Sequence, residues 1–74
     1  MNTLKTIAEV KASVDAGNRV HWSNSGYTVI KDSIGQYLIA WNYGGNDANF
    51  VGLYSGYFEP DFISNNPFYE VVKP

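Results

Sequence analysis

The chain has no cysteine and a single histidine among its 74 residues. That excludes a disulfide framework and any metal site built on thiolates, both common staples of small secreted domains. Only 16% of the residues are charged, and five Lys and Arg stand against seven Asp and Glu for a net charge of −2. So dilute a balance cannot hold a polyanion by charge alone, nor does it supply the dense carboxylates of a DNA mimic. Long apolar runs are missing too. Lys5, Glu9 and Lys11 interrupt the N-terminal stretch, leaving neither a signal-peptide core nor a membrane span. The expectation is a soluble, cytoplasmic, single-domain protein over residues 1–74, with one small core.

What the sequence does contain is aromatic: two Trp, six Tyr and four Phe, all from Trp22 onward. Before that point Leu4, Ile7, Val10 and Val14 recur at helical spacing, with Ala8 and Ala12 widening the stripe. Thr6 and Glu9 fit a capping box, with Thr3 as a rival cap, and Gly17 can close the helix in the left-handed conformation. A helix over residues 6–16 follows. Short β-branched and aromatic runs succeed it at 20–22, 27–31, 36–41 and 50–54. Two connectors, 23–26 and 32–35, each end in glycine and suit tight hairpins. The pattern predicts an α+β fold: one N-terminal helix packed on an antiparallel meander of four to five strands. A final edge strand over 68–72 is the weakest of them, and the aromatic segment after Tyr54 is expected to wrap back over the sheet.

In the central strands the apolar residues do not alternate with polar ones. Tyr37, Ile39 and Trp41 point one way, Leu38 and Ala40 the other, and the adjacent Val29 and Ile30 repeat the pattern. A four-stranded sheet is about 14 Å across between outer strand axes, and a helix about 10–12 Å in diameter shields one face at most. The second face needs either the aromatic tail or a partner. Trp and Tyr carry a large apolar body with a polar tip, the profile of an interface anchor. The chosen anchors are Trp41 and Tyr43, at the start of the glycine-paired loop over residues 42–49, with Tyr54 as support and Asn46 and Asp47 as polar loop contacts.

Chemistry is sparse. No G-x-S-x-G elbow accompanies His21, no Lys-Ser or Lys-Thr pair follows Gly44-Gly45, and Asp47 with Asn46 and Asn49 lacks the carboxylate series of a calcium loop. No catalytic residue, metal or cofactor is expected. Exposed aromatics on a sheet can stack unpaired bases, so a single-stranded nucleic-acid module is one alternative. The scattered Lys5, Lys11, Arg19, Lys31 and Lys73 speak against it. A homodimer closed through the aromatic face is another.

The segments TIAEVKA (6–12), VDAG (14–17), VHWSN (20–24), YTVIKD (27–32) and GQYLI (35–39) resemble a family of very short proteins from phages, prophages and other mobile elements. The resemblance covers the first half of the chain. It implies a small phage protein in the host cytoplasm that acts by occupying a surface of a host protein or complex, as anti-CRISPR inhibitors of host defence do. That step is analogy.

Overall fold

The computed structural model describes residues 2–42 and 48–71. Six strands form one antiparallel sheet in the order β1-β6-β2-β3-β4-β5, from β1 (Asn2–Leu4), β2 (Arg19–Trp22), β3 (Asn24–Lys31), β4 (Tyr37–Trp41), β5 (Asn49–Gly52) and β6 (Phe68–Val71). Two helices accompany it, α1 (Ile7–Asp15) and α2 (Pro60–Asn65), with a 3-10 turn at Ser55–Phe58 before α2. The fold is α+β as expected, with more strands and a second helix.

The local signals for α1 hold. Glu9 N donates to the Thr6 hydroxyl at 3.1 Å, and Lys5 N donates to the Glu9 carboxylate at 3.1 Å, so the box satisfies an orphan amide at the helix start. Gly17 follows with φ of 85° and Asn18 N closes onto Ser13 O, which ends the helix. Leu4, however, does not belong to the helical stripe. It is in β1, opposite Phe68, and enters the core from the sheet. Thr6 rather than Thr3 is the cap.

The β3–β4 connection is the expected tight turn. Asp32 Oδ1 accepts from Ile34 N and Gln36 N, while Gly35 takes φ of 87°. The β2–β3 connection differs from expectation: Ser23 alone turns the chain at φ 66°, and Asn24, Ser25 and Gly26 belong to β3. The register shifts between His21 and Trp22, so the strand is bulged there. His21 is buried, and its Nδ1 donates to the Tyr27 carbonyl at 3.0 Å across that irregular pairing.

β6 is not an edge strand. It lies between β1 and β2, with Phe68 opposite Leu4 on one side and Trp22 on the other. The core is Leu4, Val10, Val20, Val29, Ile39 and Phe68. Val29 and Ile39 face each other across β3 and β4, so of each adjacent pair it is these two, not Ile30 and Leu38, that lie beneath α1. Trp22 gathers the aromatic segment: Tyr27 and Tyr57 meet its ring edge-on at 4.9 and 5.4 Å, and Phe62 stacks at 6.1 Å. Phe58 stacks on Phe68 at 4.9 Å. The segment after Tyr54 therefore wraps over the sheet, but over the face that α1 also covers.

Val10 has no exposed surface. Val10→Asp buries a carboxylate without a partner and is expected to cost several kcal/mol, on the order of the whole stability of so small a domain. Thermal unfolding followed by circular dichroism should show the cooperative transition lost. A parent-like melt would mean α1 does not dock through Val10.

Candidate interaction surface

Cross-strand register divides the sheet into two faces. The helix-side face carries Phe68, Val20, Trp22, Val29 and Ile39, together with Lys31, Tyr37, Trp41 and Val51 in the same alternation. The opposite face carries Ile30 against Leu38, Thr28 against Ala40, and Ala40 against Phe50, with His21 against Tyr69 and Arg19 against Val71 further across. Among the described residues no helix lies over this second face. His21 and Ala40 are nonetheless buried: the Tyr69 ring lies 5.3 Å from the imidazole, and Thr28 and Phe50 flank the small Ala40.

The two described anchors are not on that open face. Trp41 shares the face of Ile39, opposite Tyr27 and Asn49, because residues two apart on a strand point the same way. It lies toward the end of the sheet and is 51% exposed. Tyr54 follows β5, is 60% exposed, and rests its ring 4.6 Å from that of Tyr57. The register also separates them: Trp41 is level with Asn49 at the start of β5, whereas Tyr54 comes after its end at Gly52. Val51, half exposed, is diagonal to Trp41 across β4 and β5 and lies between these two in the chain direction of β5. The expected contacts Tyr43, Asn46 and Asp47 lie outside the described residues.

Val51 was missed by sequence reasoning, since an isolated Val between Phe50 and Gly52 carries no signal of its exposure. Only pairing to Ile39 at an outer strand places it beside Trp41. Phe50, on the other face of the same strand and half exposed, is the second apolar residue of this kind.

The polar groups of the covered face are organised around α1. The Tyr37 hydroxyl donates to both oxygens of Asp15 at 2.7 and 2.9 Å, and Lys31 Nζ reaches Asp15 Oδ1 at 3.3 Å. Lys11 and Lys31 both lie over the Tyr37 ring, at 5.2 and 5.3 Å from its centre. Tyr37 and then Lys31 hold the Asp15 carboxyl below its ordinary range, and Asp15 in return pushes the Tyr37 hydroxyl up. Ser13 Oγ donates to Glu70 at 2.7 Å and Asn2 Nδ2 donates to it at 3.0 Å. These two bonds, Asn2's first, lower the Glu70 carboxyl.

Both lysines nearest a shared surface, Lys11 and Lys31, are thus engaged with Tyr37 on the helix side, and Arg19 is the one basic side chain of the described strands on the open face. A groove tracking a phosphate backbone needs cations clustered along it. Among the described residues no three His, Asp or Glu side chains converge as metal ligands, and no helix is long and apolar enough to cross a membrane. Comparison of the chain with protein-family models, with curated proteins and with solved structures gives no match.

The two carboxyls set a pH dependence. Groups lowered in the folded state, Asp15 from 3.8 and Glu70 from 4.5, contribute stability above those ordinary values that is lost as pH falls through the lowered ones. Tyr37, raised from 10.0, contributes stability below pH 10 that is lost as pH climbs through its raised value. The melting temperature should therefore fall below about pH 4.5 and above about pH 10. Asp15→Asn should flatten both limbs and Glu70→Gln the acid limb only. A parent-like profile in either variant would contradict these pairings.

Proposed function

We propose that the chain is a non-catalytic protein-binding domain that acts stoichiometrically, by occupying a surface of a host protein or complex in the cytoplasm. The observation that carries this reading is three large apolar side chains half or more exposed around β4 and β5: Trp41 at the end of β4, Val51 in β5 and Tyr54 just after it. Large aromatic groups held at the edge of an ordered sheet are costly to leave in water and lose little freedom on binding, the two properties of interface anchors. Tyr43, Asn46 and Asp47, which follow Trp41 in the sequence, are proposed as further contacts on the sequence alone.

The resemblance of the first half of the chain to short phage and mobile-element proteins supports the biological setting: an inhibitor of a host defence complex, of the anti-CRISPR kind. Stability on the aromatic core, with no chemistry asked of His21 or Asp47, fits an agent that works by occlusion. On this reading the inhibitor needs no metal, and its melting temperature with EDTA should match that without.

The test is affinity purification from host lysate with the tagged chain, followed by binding measurements on the captured complex. Trp41→Ala and Tyr54→Ala should each weaken binding about thirtyfold, the loss of roughly 2 kcal/mol typical of an anchor, while leaving the melting temperature near that of the parent. Undiminished affinity in both variants would remove this margin from the interface. Turnover of a small molecule dependent on His21 or Asp47 would replace the reading with an enzymatic one.

A further inference from the structure

A cleft of about 300 Å³ opens at the Tyr37 end of β4, the end opposite Trp41, and we propose that it binds a small organic carboxylate, a single negative charge on a short apolar body. Separate pieces of the chain meet there: the middle of α1 at Lys11, the close of the β3–β4 turn at Gly35 and Gln36, and the end of β5 at Gly52 and Leu53. Backbone pairing fixes the last of these against β4, since Leu53 N donates to Tyr37 O at 3.0 Å. Neither glycine puts a side chain into the space, and a Cβ added to either would meet nothing within 4 Å. Small-ligand pockets combine apolar walls with a few polar groups that fix orientation. Here the walls are Tyr37 and Leu53, both half-buried, and the polar groups are Lys11 and Gln36.

Charge chooses the ligand. Lys31 Nζ is committed to Asp15 at 3.3 Å, and the Tyr37 hydroxyl donates to both oxygens of the same carboxylate, so the charge of Asp15 is already answered. Lys11 has no carboxylate within 4 Å among the described residues. Its ammonium lies instead 5.2 Å from the centre of the Tyr37 ring. A cation held over an aromatic face is positioned without being neutralised, and its N–H donors remain for an acceptor from outside. Gln36 spends its backbone on the turn, while its side-chain amide makes no hydrogen bond among the described residues.

One ammonium with one amide matches a monoanion. A phosphate carries close to two charges and is ordinarily met by an Arg fork, several cations or a nest of backbone N–H groups. The turn cannot supply that nest. Its amides are used within it, Ile34 N and Gln36 N on Asp32 Oδ1 and Gly35 N on Asp32 O. A carboxylate of this kind comes either from a free organic acid or from the C-terminal end of a polypeptide, and both present the same charge and the same apolar neighbour to Lys11 and Leu53.

Phenylacetate is the probe, and phenylacetamide is the neutral control of the same shape. Titration of the isotope-labelled full chain, followed by amide chemical shifts, should give saturable changes at Lys11, Gln36, Tyr37 and Leu53 with a Kd of about 1 mM. Phenylacetamide should bind about tenfold more weakly, and Lys11→Gln should cost about tenfold in affinity for phenylacetate, the loss expected of a charge-assisted hydrogen bond. Lys11→Arg should retain binding, and Lys5→Gln, which removes the same charge elsewhere, should leave it unchanged. N-acetylglycyl-phenylalanine separates the two sources: tighter binding than phenylacetate assigns the site to a polypeptide end, equal or weaker binding to a free acid, and either result keeps the carboxylate site. Shifts that do not saturate, equal binding of phenylacetamide, or undiminished binding by Lys11→Gln overturns the proposal. None of these readouts involves Trp41, Val51, Tyr54 or a host protein, so such a failure leaves the protein-binding reading standing.

Discussion

The burial of Phe68 is the contact on which the other elements depend. Its strand enters between β1 and β2, so its backbone pairs with Leu4 on one side and Trp22 on the other. Its ring is fully buried, stacked on Phe58 and tilted against Trp22. Without β6, the three-residue β1 would have no strand to pair with, and Leu4 would leave the core. The aromatic segment between β5 and β6 would lose the floor it packs on. A chain of this size without disulfides has few ways to tie its ends to its middle, and one fully buried aromatic at a central strand achieves it.

Placing β6 there also decides which face is covered. The run from Ser55 to Asn65 must travel from the outer strand β5 back to the interior of the sheet, and it does so over the side where Trp22 and Phe68 already project. α1 occupies the same side through Val10 and Val14. The polar bonds of that side, Ser13 to Glu70 and Tyr37 to Asp15, lie around the helix and orient it on the strands. Among the described residues both helices therefore lie on one face and none on the other.

This asymmetry divides the molecule by role. The covered face supplies stability, with Asp15 and Glu70 bonded between α1 and the strands. The β4–β5 margin presents large apolar groups beyond the reach of either helix. The other face, which no described helix covers, carries Ile30, Leu38, Ala40 and Phe50 along its centre. Antiparallel sheets with one solvated face ordinarily alternate apolar and polar residues, and here Ile30, Leu38, Ala40 and Phe50 break that alternation.

Much of the local structure was determined by the sequence alone. Spacing and the Thr6–Glu9 pair place α1, Asp32 and Gly35 set the β3–β4 turn, and the two-sided apolarity of the central strands announces a sheet with more apolar surface than one helix can cover. These features depend on neighbours within a few residues, where propensity and capping dominate. Only the tertiary structure decided the rest. A period of two shows that Val29 and Ile30 face opposite ways but not which of them meets the helix; the bulge at His21 and Trp22 and the pairing with β6 choose. β1 is too short to leave a local signal, and its partner is at the far end of the chain. The shared phase of Trp41 and Ile39 was legible in the sequence, with the helix side one of the two places it allowed Trp41; that Ile39 is the residue packed in the core is what puts Trp41 on the covered side.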